Sequence, residues 1–80
     1  MSTRELESFK NALKNKKNIS FIKVKQFIKV GPYDRREFWF PRNIFVSEDN
    51  KTVSFTVEEW SSFSDITIDI DYKDIELFRI

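Results

Sequence analysis

From Ile19 onward, apolar and polar residues alternate with a period of two, in stretches separated by turn-forming residues. The clearest stretch sets Ile66, Ile68, Ile70 and Tyr72 against Asp65, Thr67, Asp69 and Asp71. That period belongs to a strand with one buried and one open face. In another, Ile22, Val24, Ile28 and Val30 share one parity, and Phe21, Lys23, Lys25, Phe27 and Lys29 share the other. The pattern predicts strands over about 19–30, 37–46, 52–60, 65–72 and 75–80. Pro41 bends or bulges the second, because proline cannot donate to a ladder. Turns are expected at Gly31-Pro32-Tyr33-Asp34, Ser47–Lys51 and Ser61–Ser64.

Only the first residues read differently. Ser2-Thr3-Arg4-Glu5 has the spacing of a capping box, and Leu6, Phe9 and Leu13 follow at helical intervals. Acids sit early in this segment and lysines late, which suits the helix dipole. A helix is expected over about 3–16.

The expected fold is α+β, with an N-terminal helix packed on a twisted, half-open antiparallel sheet of about five strands. A small closed β-barrel with an N-terminal helix is the alternative. Barrel corners need glycines or bulges, and the chain has a single glycine, which favours the open form. Residues 1–80 make one domain.

Eighty residues bury only roughly 60% of their unfolded surface. The chain has no Cys and no His, so disulfides and the commonest transition-metal ligands are excluded. Nine Phe, two Trp and two Tyr supply the missing buried area. No apolar run approaches a membrane span, and a soluble cytoplasmic protein is expected, with no membrane contact.

Charge is ordered along the chain. Residues 1–42 carry eleven Lys/Arg against four Asp/Glu, and residues 43–80 carry three against nine. Such asymmetry points to a charged partner or to internal pairing of the two halves.

Three groups of residues stand out. If Ile22, Val24, Ile28, Phe38, Phe40, Val53, Phe55, Val57, Ile66, Ile68 and Ile70 face the core, parity puts Phe21, Phe27, Trp39 and Trp60 on the other side. Lys23, Lys25 and Lys29 share that side. Interleaved rings and bases suit single-stranded nucleic acid, with rings stacking on bases and lysines meeting phosphates. A covering helix or second subunit would instead bury them. The second group is the acidic row Asp65, Asp69 and Asp71. A straight row diverges, which disfavours a Mg²⁺ or Ca²⁺ site. It suits a nucleic-acid-mimicking surface, an edge strand kept soluble, or pairing with Lys23, Lys25 and Lys29 across a closed sheet. The third group is Arg35, Arg36 and Arg42 around Phe38-Trp39-Phe40-Pro41, a composition typical of interface hot spots.

Catalysis has little support, because the commonest general base and the strongest nucleophile are absent and no phosphate loop is present. No cofactor is expected. The sequence therefore reads as a non-enzymatic protein–protein interaction module, in the manner of a small inhibitor, an immunity protein or a phage or mobile-element accessory protein. Its expected contact residues are Phe21, Phe27, Arg35, Arg36, Trp39, Arg42 and Trp60. Nucleic-acid binding through the basic-aromatic face and acidic mimicry are the alternatives. Nothing in the sequence decides between a monomer and a homodimer.

Overall fold

The computed structural model describes all residues from Met1 to Ile80. Helix α1 spans Thr3–Lys14. Six strands follow: β1 Phe21–Val30, β2 Tyr33–Trp39, β3 Arg42–Val46, β4 Thr52–Glu58, β5 Asp65–Asp71 and β6 Ile75–Arg79. A short 3₁₀ turn, Tyr72–Asp74, links the last two.

The capping box forms as its sequence suggests. Ser2 Oγ accepts from the Glu5 N–H at 3.1 Å, and the Glu5 carboxylate accepts from the Ser2 N–H at 2.9 Å. Leu6, Phe9 and Ala12 are buried. The helix stops two residues short of the expected end. Asn15 caps it, and Lys16 turns to a φ of 57°, in the left-handed region that ends helices.

The strands lie in two antiparallel sheets, ordered β2-β1-β6 and β3-β4-β5. The expected strand at 37–46 is two strands, which raises the count from five to six. Its first part starts earlier than expected, at Tyr33, because Val30 pairs with Tyr33 across a two-residue Gly31-Pro32 loop. Gly31 has a φ of 62°. Proline cannot follow with positive φ, so this is the type II′ hairpin, with glycine first. The break between β2 and β3 comes at Phe40-Pro41, where Phe40 takes a φ of 54° and Pro41 has no N–H to donate. The chain leaves one sheet there and enters the other.

No ladder joins β5 to β6, so the arrangement is open and the barrel is not formed. One core serves both sheets and the helix. It contains Leu6 and Phe9 from α1, Ile22 and Val24 from β1, Phe38 from β2, Phe55 and Val57 from β4 and Ile75 from β6. The Phe38 and Phe55 rings meet edge to face at 5.3 Å and join the sheets. Phe9 meets Phe78 in the same manner at 5.0 Å and holds the helix on β6.

Parity assigns most of this core correctly, but two residues depart from it. Phe40 was expected inside and is 72% exposed, because its left-handed backbone breaks the alternation. Phe21 was expected outside and is buried. The Trp39 ring packs on it at 4.4 Å, and the Arg79 guanidinium lies 5.5 Å from its ring.

Candidate functional site: an aromatic groove floored by arginines

The β1–β2 ladder loses register between Lys23 and Ile28. Their partners are Glu37 and Arg35, so Arg36 alone lies opposite Val24, Lys25, Gln26 and Phe27. This bulge shapes the site. Phe27 is 67% exposed on it. The Arg36 guanidinium lies 5.5 Å from the Phe27 ring and its Nε donates to the Val24 carbonyl at 3.2 Å. It also reaches Glu76 at 3.8 Å. A backbone acceptor freed by the bulge is thereby satisfied, and Arg36 is held in place.

Arg35, beside it, was expected to be an exposed contact residue. It is only 8% exposed. Its guanidinium lies 3.9 Å from the Trp60 ring centroid and 4.9 Å from that of Phe38. Its one hydrogen bond within the chain is a long one, from Nη1 to the Glu58 carbonyl at 3.4 Å. Nε is buried without a partner. No carboxylate pairs with it; the four ion pairs of the chain all involve other residues. Burial pushes the Arg35 guanidinium below its ordinary pKa, since desolvation disfavours the charged form.

Trp60 is fixed over Arg35 by the turn that follows β4. The buried Glu59 carboxylate accepts from the backbone N–H and hydroxyl of both Ser61 and Ser62, at 2.5–2.9 Å. These bonds lower its pKa to about 2, so it stays ionised at neutral pH. Glu59 itself lies against Gly31, where any Cβ would overlap its carboxylate. The lone glycine thus allows both the hairpin turn and the seat of Glu59. Tyr33 braces Trp60 from the side, with ring centroids 5.5 Å apart.

The result is an open groove of about 310 Å³, lined by Lys23, Phe27, Asp34, Arg35, Arg36, Glu37 and Trp60. A larger depression of about 520 Å³ lies beside the helix start. Of its three carboxylates, Asp49 and Asp71 are already turn acceptors, for Lys51 N–H at 3.1 Å and Lys73 N–H at 2.9 Å, and Glu7 pairs with Lys10 at 3.7 Å.

The contact residues expected from sequence therefore divide. Phe27, Arg35, Arg36 and Trp60 come together. Phe21 is inside, and Trp39, 56% exposed, lies over it. Arg42 lines a separate groove with Phe40 and Pro41, and is tied to Asp65 at 2.6 Å.

Two of the three lysines of β1 are countered locally. Lys23 faces Glu37 and Lys29 faces Asp34 across the ladder, and Lys23 pairs with Glu76 at 3.2 Å. The alternative in which they pair with the Asp65–Asp71 row across a closed sheet does not occur, because that strand belongs to the other sheet. Lys25 is exposed beside them. The acidic row serves its own neighbourhood. Asp65 holds Arg42, Asp69 accepts from the Ser54 hydroxyl, and Asp71 caps the 3₁₀ turn. No three carboxylates gather in a metal-binding arrangement.

Sequence reasoning places Gly31 and Tyr33 only in a turn, not at the site, and misses Glu59. The local signal is present: an acid with serines two and three residues on, Glu59-Trp60-Ser61-Ser62, offers four N–H or O–H donors to one carboxylate. Comparison with protein-family models, with curated proteins and with solved structures returned no match.

Proposed function

We propose that this chain is a non-enzymatic protein-binding module whose contact site is the groove between Phe27 and Trp60. One observation carries the reading. Two aromatic rings, each more than half exposed, stand over arginines that internal contacts already hold in place. Trp, Tyr and Arg dominate interface hot spots, and side chains ordered before binding lose little entropy when a partner arrives. A domain of this size without His or Cys suits an inhibitory, immunity or accessory role. A protein partner in the same cell compartment is the proposed ligand.

Nucleic-acid binding is the weaker reading. A phosphate chain needs a track of free cations, and Lys23 and Lys29 each face an acid across the ladder. Acidic mimicry is weaker still, because Asp65, Asp69 and Asp71 are each engaged within the chain.

Affinity capture from the native host tests the proposal. Trp60→Ala and Phe27→Ala should each lose the captured protein, while Trp39→Ala retains it. Equal capture by all three would remove the groove from the contact surface.

A further inference from the structure

Arg35 is a cation that folding has taken out of water without supplying a counter-charge. Such a group is costly unless something pairs with it. Its aromatic neighbours do not fill that role completely. Stacking on Trp60 covers a face of the guanidinium, but its hydrogen bonds run from the rim, in the plane. Of five rim donors, one is used within the chain, and weakly. The neighbouring cations differ: Arg36 and Lys23 share Glu76.

We propose that Arg35 receives a side-chain carboxylate of the protein partner, so that the groove reads an acidic residue flanked by apolar ones. This rests on the groove being the contact site. A planar carboxylate matches the rim of a guanidinium, and Phe27 and Trp60 offer apolar walls to its neighbours. Asp34 and Glu37 line the same groove. With Lys23, Arg35 and Arg36 they leave the groove lining one positive charge in excess, which a single carboxylate balances and a polyanion such as nucleic acid exceeds.

The test uses the folded wild-type chain and three probes: acetyl-Leu-Glu-Leu-amide, its Gln twin, and oligothymidylate. The Arg35 Nε–H and Trp60 indole N–H resonances are followed by NMR. The Glu peptide should shift both signals saturably, and the Gln peptide should bind about tenfold or more weakly, as expected for loss of a charge-assisted hydrogen bond. Equal shifts with both peptides would overturn the carboxylate assignment and leave the groove as a contact site. No shift of Arg35 with either would overturn it as well, and host capture would then judge the groove separately. Oligothymidylate shifting Arg35 at lower concentration than the Glu peptide would overturn both readings in favour of phosphate.

Discussion

The β4–β5 ladder runs through seven consecutive pairs, from Thr52↔Asp71 to Glu58↔Asp65, without a slip. The β1–β2 ladder breaks after three pairs and resumes beyond a bulge. The two hairpins share one core but use it differently. The regular ladder keeps strict alternation, so Val53, Phe55 and Val57 stay on the inward side for its whole length, opposite Ile70, Ile68 and Ile66. The broken ladder gives up its β2 pairing for four residues. In return Phe27 stands out from the sheet, and a neighbouring arginine fills the gap beneath it. Regular pairing builds stability, and irregular pairing re-aims side chains.

The comparison breaks most visibly at Phe55. This ring is fully buried at the centre of the regular ladder and touches Phe38 across the core. Phe55→Ala should cost about 3–5 kcal/mol, the usual range for emptying a buried aromatic site. In a domain this small that is a large share of total stability. Urea denaturation should show the loss as a much lower midpoint.

Gly31→Ala tests where the two hairpins meet. The substitution places a Cβ at a φ of 62° and drives it into Glu59. The cost should exceed about 1 kcal/mol, since the native backbone does not suit alanine. It should also displace Trp60 from Arg35, visible as a change in tryptophan fluorescence that Phe55→Ala variants under folding conditions do not reproduce. Unchanged stability and fluorescence would remove Gly31 and Glu59 from the support of the groove.

The part of this design legible in sequence was the regular part. Asp65–Tyr72 alternates without exception, and its strand lies where the alternation puts it. The capping box at Ser2 and the break at Pro41 were equally readable, because each is a local rule satisfied by adjacent residues. The bulge was not. Nothing in Val24-Lys25-Gln26-Phe27 announces a lost register, since the slip depends on which residues of β2 and β6 lie alongside. Parity also puts Phe21 outside and Phe40 inside, the reverse of their positions, because Trp39 and Arg79 cover the one and a left-handed backbone turns the other out. The Arg35 environment was hidden for the same reason. Its rings come from positions 38 and 60, and only the folded turn after β4 brings Trp60 to it. Charge order is legible as a pattern, but which charges meet depends on topology: Lys23 and Lys29 of β1 face acids of β2, Lys23 also reaches Glu76 of β6, and only Arg42 reaches the acidic row, at Asp65.

Acid sharpens the role of Glu59. Its folded pKa of about 2 lies below its ordinary 4.5. The unfolded chain therefore binds a proton first as pH falls, and stability rises with pH across this window. The contribution of Glu59 is complete above about pH 4.5 and fades as pH drops toward 2. Asp49 and Glu5 are also lowered by hydrogen bonds from their own turns, so they add to the acid slope. Glu59→Gln should lower the neutral-pH midpoint and flatten, without abolishing, the fall in midpoint from pH 5 to pH 2.5. A variant with the full wild-type slope would mean that the serine clamp does not hold in solution.

Phe27→Ala should have the smallest effect on folding and the most selective effect on binding. The ring is 67% exposed, and the Arg36 guanidinium beside it keeps its bonds to the Val24 carbonyl and Glu76 without it. Stability should therefore stay within about 0.5 kcal/mol of wild type, as for an ordinary surface substitution. Set beside Phe55→Ala, this pair separates the two uses of phenylalanine in the chain. A loss with Phe27→Ala as large as that of a core ring would show that the bulge needs its aromatic to hold its shape. A neutral folding result with loss of partner capture would show a ring retained for contact. Exposed phenylalanine costs the domain solubility and returns little stability, so the second outcome would supply the reason the bulge carries one.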